Sequence, residues 1–160
     1  MILPQWLDVD RLPAEGVALA GDLPLGHCVR LGPLLAESRG SLQVRMQCRA
    51  DAAGRVLLQG ELTADLWLQC QRCLEPMPWT LHTPFEVLLV TEDPEARGGL
   101  EYVLLEQGRL NLWQALEDEA LLALPFAPRH DPSCPTVAGD ESVPHPASPF
   151  AVLAKWHAKT

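Results

Sequence analysis

Two cysteines separated by two residues, Cys70 and Cys73, form the one tightly spaced thiol pair in the chain. Such a pair can bind a metal, exchange electrons or simply pack as reduced thiols. Redox pairs normally lie at a helix N-terminus, where the helix dipole lowers the pKa of the thiol. Pro76 and Pro78 prevent an ordinary helix here, and the flanking patterns are those of strands. The setting therefore disfavours redox chemistry.

A metal site needs further ligands, and the sequence contains a second pair of suitable residues downstream. His130 and Cys134 are separated by three residues in a segment rich in proline. Thiolate and imidazole are the ligands that tetrahedral zinc prefers, and a turn between strands can present two thiolates to it. We therefore predict a candidate zinc site of Cys70, Cys73, His130 and Cys134. Reduced cysteines that serve only in packing remain the alternative.

The pair lies between two stretches in which apolar and polar residues alternate. Leu42, Val44, Met46 and Cys48 alternate with polar residues, as in a strand with one buried face. Similar patterns and the turns between them indicate an antiparallel sheet within residues 41–106. The predicted strands are Ser41–Ala50, Arg55–Gln69, Trp79–Thr91 and Glu101–Glu106, with Pro84 placing part of the third at an edge or bulge.

The remaining segments are assigned from helix signals and from proline content. Asn111 is a good N-cap, and an apolar stripe predicts a helix over residues 111–124 that Pro125 ends. Residues 125–149 are predicted to form a Pro-rich loop, residues 150–157 a short C-terminal helix, and residues 1–40 an irregular segment. The expected fold is a single α+β domain of residues 1–160.

Composition limits the classes of function. The 160 residues carry a formal net charge of −9, which disfavours non-specific binding of DNA or RNA. No apolar run of about 18 residues is present, so no membrane partner is expected. The N-terminus lacks a signal-peptide pattern, and five cysteines do not suggest a disulfide framework. We therefore expect a cytoplasmic protein.

Charged residues offer candidate binding surfaces. Arg45 and Arg49 share the polar face of one strand, and Arg55 and Arg72 lie near the ends of the next. They form either a solvated face or a local patch for RNA phosphates. Glu117 and Glu119 lie on the predicted helix, where neighbouring residues diverge by about 100° and do not converge on one substrate atom. A solvated or partner-facing acidic surface is therefore expected, and no Ser-His-Asp signature is present.

Four motifs, in order, resemble those of the YceD family of large ribosomal RNA accumulation proteins. They are Leu68–Pro76 around the cysteine pair, the helix Leu112–Glu119 running into Leu121–Pro125, Pro128-Arg129-His130 with Cys134, and Ser148–Ala154. The resemblance implies a non-enzymatic role in the accumulation of the large-subunit (23S) ribosomal RNA. It also implies that Cys70, Cys73, His130, Cys134, Glu117, Glu119 and Phe150 are family residues.

Two hypotheses from other classes stay open beside this one. The leading prediction is a non-enzymatic factor for large-subunit biogenesis, whose partner is large-subunit rRNA or a ribosomal or assembly protein. A zinc- or thiol-dependent enzyme would need an open metal position or a thiol of low pKa in a cleft. A structural adaptor would carry reduced cysteines and no metal.

Overall fold

The computed structural model describes residues 1–13, 15–52, 54–91, 101–130 and 134. Its elements are eight strands and one α-helix, with short 3₁₀ turns at Leu25–His27 and Gly32–Leu34. In chain order they are β1 (Trp6–Asp8), β2 (Val17–Pro24), β3 (Leu35–Glu37), β4 (Ser41–Ala50), β5 (Val56–Gln69), β6 (Pro76–Val90), β7 (Tyr102–Leu104), β8 (Arg109–Asn111) and α1 (Leu112–Leu122).

A six-stranded sheet of order β2-β4-β5-β6-β7 forms the body of the described chain, with β3 pairing with the far end of β5. Strands β4, β5 and β6 form the antiparallel meander that the alternating pattern predicts, and their predicted inner faces are buried. Gly60 permits the close approach of β4 to β5, because a Cβ atom there would overlap the Arg45 carbonyl oxygen and Met46. The predicted antiparallel meander is therefore confirmed.

Strand β6 has an outer edge that proline protects. The Leu88 N–H donates to the Glu101 carbonyl at 2.9 Å, on the side away from β5. Alternate residues of a strand direct their backbone groups to the same edge, so Pro76, Pro78 and Pro84 also face outward. Their missing N–H groups cost no bond to β5 and make the edge a poor template for another strand. The edge position predicted for Pro84 is confirmed.

The N-terminal segment is more regular than predicted. β2 pairs with β4 along its whole length, from Val17 opposite Cys48 to Pro24 opposite Ser41. β1 pairs with β8 in a separate two-stranded sheet. The expectation of an irregular segment over residues 1–40 is therefore wrong. The glycines and prolines of this segment separate short strands, and each of these strands pairs with a strand later in the chain.

Helix α1 covers the buried face of the sheet. The Asn111 side chain accepts a hydrogen bond from the Gln114 N–H at 3.3 Å, which confirms the predicted N-cap. Leu112, Leu116 and Ala120 are fully buried and join the core that the sheet provides. The helix ends at Leu122, two residues before the predicted end.

Two features complete the comparison with the predicted architecture. β7 runs parallel to β6, so the sheet is mixed rather than wholly antiparallel, within an α+β fold. Most of the predicted Pro-rich loop and the predicted helix over residues 150–157 lie outside the described residues. The single-domain assignment stays a prediction. Within the described ranges, no helix has both the length and the apolar character needed to cross a bilayer.

Candidate metal centre

The cysteine pair lies on the tight turn that joins β5 to β6. The Cys70 N–H donates to the Glu75 carbonyl at 3.0 Å, and the Leu74 N–H donates to the Cys70 carbonyl at 2.9 Å. Leu74 adopts a left-handed backbone conformation, with φ of 64°, which tightens the turn. Because both ends of the turn are held by strands, the two thiols have fixed positions.

A backbone hydrogen bond attaches the segment after α1 to this turn. The Gln71 N–H donates to the Pro128 carbonyl at 2.8 Å. This contact lies two residues before His130 in the chain. It fixes the segment against the turn, so that His130 and Cys134 reach the two thiols.

The four side chains converge as the sequence predicts. The Sγ atoms of Cys70 and Cys134 are 3.3 Å apart, and Cys73 Sγ is 3.4 Å from His130 Nδ1. All four donor atoms lie within 4.8 Å of one another. A tetrahedral ion with bonds of about 2.0–2.3 Å separates its ligands by about 3.3–3.8 Å. The cluster could therefore hold a metal ion.

The Cys70 thiol differs sharply in acidity from the two cysteines that lie outside the cluster. Burial raises the pKa of Cys70, but the N–H groups of Cys73, Arg72 and His130 and the Cys134 thiol outweigh it and lower the pKa to about 5. Burial raises the pKa of both Cys28 and Cys48 to about 11, with a further contribution at Cys28 from the charge of Glu117. The structure thus stabilises a thiolate at the cluster and neutral thiols elsewhere.

The pKa of Cys73 shifts in the opposite direction to that of Cys70. The Glu75 N–H lowers the pKa of Cys73, but burial and the neighbouring Cys70 and Cys134 raise it overall. Once Cys70 is ionised, a second negative charge within a few ångströms is costly. A bound cation would remove this cost and permit all three sulfurs to act as thiolates.

The arginines predicted to bind RNA do not form one patch. Arg45 and Arg49 are exposed on the solvent face of β4, as predicted, and the Arg45 guanidinium lies 3.9 Å from Glu61. Arg55 forms an ion pair with Asp51 at 2.7 Å beside the β4–β5 turn. Arg72 lies on the cysteine turn, at the other end of β5. A strand of 14 residues spans about 46 Å, so Arg72 is remote from the other three.

Glu117 is not the solvent-facing acid that the helix pattern predicts, and that expectation is wrong. Its side chain is only 3% exposed. Oε1 accepts hydrogen bonds from the N–H groups of Arg30 at 2.6 Å and of Leu31 at 2.8 Å. Arg30 also places its guanidinium between Glu117 and Asp118. Glu117 therefore joins the N-terminal segment to α1.

Two further charged residues, Glu119 and Arg30, lie close to Glu117 or Asp118. Glu119 is half-buried, and its pKa is raised first by burial and then by the charges of Glu101 and Asp118. Sequence reasoning overlooked Arg30, because it lies more than 80 residues from the acids it contacts. No local pattern signals a contact of that separation.

The protein is therefore of the α+β class, and its cysteine turn packs against the segment that follows α1. The family model for the large ribosomal RNA subunit accumulation protein YceD matches residues 58–155. The YceD protein of Haemophilus influenzae, described by those same words, is 31% identical over 98% of this chain and 97% of its own length. The chain belongs to the YceD family.

A more distant relative and the solved structures complete the comparison. A protein of Mycobacterium leprae described as uncharacterised is 26% identical over 99% of this chain and 77% of its own length. No solved structure matches the chain. The family assignment therefore depends on sequence, and the geometry of the cluster is described from this chain alone.

Replacing Glu117 with alanine should destabilise the protein by about 2–4 kcal/mol, because the buried Leu31 N–H and the part-buried Arg30 N–H lose a charged acceptor. Arg30→Ala should cost about 1 kcal/mol or less, since the backbone donors keep their acceptor. Urea unfolding followed by circular dichroism measures both.

Glu119→Ala is the matched control, because it makes the same change two residues further along α1. It should leave stability nearly unchanged, since it removes a carboxylate that its neighbours repel. Equal losses for Glu117→Ala and Glu119→Ala would contradict the anchoring role of Glu117.

Proposed function

We propose that the protein is a non-enzymatic factor required for the accumulation of large-subunit (23S) rRNA, and hence for biogenesis of the large ribosomal subunit. The observation that carries this proposal is membership of the YceD family, supported by a relative of that description aligned over nearly the full length of both chains. Because the proposed role is exercised on assembling ribosomes, we place the protein in the cytoplasm.

The geometry of the cluster supports a structural rather than a catalytic role. A catalytic zinc ion keeps one coordination position for water or substrate, whereas a structural ion is held by four protein ligands. Four donors converge here, two of them buried and two half-buried. An enzyme, the second candidate, would need an open position that four bound ligands do not leave.

We propose zinc as the ion that the cluster binds. Three cysteines and one histidine form a donor set typical of structural zinc sites, and soft thiolate ligands select against magnesium or calcium. Cys70 and Cys73 would bind from the turn between β5 and β6, and His130 and Cys134 from the segment after α1. The ion would neutralise the thiolates and hold that segment against the sheet.

Contact with RNA, if direct, is proposed to use the exposed arginines. Arg45 and Arg49 are two accessible cations on one strand face. Arg55, which is paired with Asp51, and Arg72 lie at opposite ends of β5 and would contact RNA separately. Arginine suits phosphate because its guanidinium forms paired hydrogen bonds. A net charge of −9 makes such contacts local and leaves DNA an unsuitable partner.

Depletion of the protein in its native host should lower the amount of mature large-subunit rRNA and the ratio of large to small subunits. The expected cause is loss of a factor needed before the large subunit is complete. Quantification of rRNA and sucrose-gradient profiles measure the effect. Restoration by a plasmid copy is the control, and unchanged rRNA and subunit profiles would exclude the proposed function.

Protein purified without oxidation should contain about one zinc ion per chain, because the four donors form one closed tetrahedral site. Cys73→Ser should lower the zinc content below about half an equivalent, and chelation should lower the melting temperature. Atomic emission and thermal unfolding measure these outcomes.

Cys48→Ala is the matched control, since Cys48 is a buried thiol in the core of the sheet, on β4. Its zinc content should equal that of the wild type. A wild-type preparation with less than half an equivalent, unaffected by Cys73→Ser, would instead favour the adaptor with reduced cysteines.

Binding to a large-subunit rRNA fragment should depend steeply on salt if the arginines contact phosphate. The double variant Arg45→Ala/Arg49→Ala should reduce the slope of log K against log salt by about two, one for each lost contact. Fluorescence anisotropy at several salt concentrations measures the slope. An unchanged slope would exclude these two residues, and absence of binding at low salt would favour a protein partner.

A further inference from the structure

A groove between β7 and α1 exposes apolar side chains to solvent. It has a volume of about 350 Å³ and is lined by Tyr102, Val103, Leu104, Glu106, Asn111, Gln114, Ala115 and Asp118. Tyr102 is 42% exposed and Leu104 is 50% exposed, one on each side of the half-buried Val103. Removing this apolar surface from water would be favourable, so the groove suits an occupant with apolar side chains.

The rim of the groove is acidic. Glu106 and Asp118 line it directly. The half-buried Glu119 follows Asp118 on α1, and the exposed Glu101 precedes Tyr102 in the chain. Glu101, Asp118 and Glu119 lie close enough to interact, since the charges of Glu101 and Asp118 help to raise the pKa of Glu119. None of the described lining residues is a lysine or an arginine.

Two arginines near the groove are engaged elsewhere. Arg30 bonds Glu117 and Asp118 and so compensates one acid of the rim. The Arg109 guanidinium lies over the Trp6 ring, 5.2 Å from its centroid. The charges of Glu101, Glu106 and Glu119 are thus available to a cationic partner.

We propose that this groove binds a basic segment of another protein, in which apolar side chains lie between lysines and arginines. The apolar residues would cover Tyr102 and Leu104, and the cations would approach the acidic rim. The inference rests on the proposed function, because it specifies the chemistry of a protein partner in large-subunit assembly.

Charge decides between this occupant and two others. RNA would bring phosphates against a rim of carboxylates, and a second copy of this chain carries the same net charge of −9. The groove is also too small for a folded domain. An extended basic segment meets all three constraints.

The direct test uses a fluorescein-labelled twelve-residue peptide that repeats arginine, leucine and lysine. The purified full-length chain should bind it in fluorescence anisotropy. The double variant Glu101→Lys/Glu106→Lys should weaken binding about tenfold or more, because two attractions become repulsions. Leu104→Ser should weaken it about threefold with no change in charge, because apolar contact is lost.

The matched control is Glu15→Lys/Glu37→Lys, which changes the net charge equally at two exposed positions outside the groove lining. It should weaken binding less than about twofold, since separated charges are screened at physiological salt. If the two double variants weaken binding equally, net charge alone explains the effect, and the proposal is overturned. Binding of a labelled RNA oligonucleotide to the chain, weakened by Leu104→Ser, would instead place RNA in the groove and overturn the proposal.

A complementation experiment separates failure of the groove from failure of the function. After depletion, Glu15→Lys/Glu37→Lys should restore large-subunit rRNA, and Glu101→Lys/Glu106→Lys should not, although both accumulate to the same level. Full restoration by the groove variant would overturn the groove and leave the function intact. If depletion leaves rRNA unchanged, the proposed function fails whatever the peptide binds.

Discussion

The antiparallel pairing of β5 with β6 is the interaction on which the other elements depend. It runs without a register shift from Val56 opposite Leu89 to Gln69 opposite Pro76. One end of this ladder supports β4, β2 and β7, and the other supports β3 and the cysteine turn. Because a slip of one residue would reverse both faces of the ladder, its register determines where Cys70 and Cys73 point. The position of the candidate metal centre is therefore a property of the sheet.

Three contacts of long sequence separation hold the N-terminal segment and the segment after α1 in place. The Gln71–Pro128 hydrogen bond and the cysteine–histidine cluster hold the segment after α1. Glu117, buried and bonded to the N–H groups of Arg30 and Leu31, holds the N-terminal segment to the same helix. A buried carboxylate is costly unless such donors surround it, so its position depends on both segments being folded. Helix α1 thus links the N-terminal turns to the candidate metal centre.

Basic and acidic side chains are exposed on different surfaces of the protein. Exposed arginines lie on the solvent face of β4, whereas carboxylates surround the groove between β7 and α1. The two surfaces lie on different elements and favour ligands of opposite charge. Such separation permits a strongly acidic chain to contact RNA phosphates at one place and a basic protein at another. Net charge alone describes neither surface.

The local sequence pattern was sufficient to predict the β4–β5–β6 meander and the residues of the candidate metal centre. Alternation with period two located β4 and β5 to within a residue, and β6 to within three, because each strand has one face in the core. The Asn111 cap and the apolar stripe located α1 for the same reason. The types and spacings of Cys70, Cys73, His130 and Cys134 predicted the four residues that converge in the candidate metal centre. These signals are local because burial on one face constrains neighbouring residues directly.

Only the tertiary structure decided the features that depend on distant partners. β2 is too interrupted by glycine and proline to be recognised alone, and its regularity comes from pairing with β4. The parallel direction of β7, the burial of Glu117 and the engagement of Arg30 likewise have no local signature. Sequence thus determined which residues could form a metal site and which faces are buried. Packing determined which acid is an internal anchor and which acids remain at the surface, because burial depends on what the rest of the fold places against each side chain.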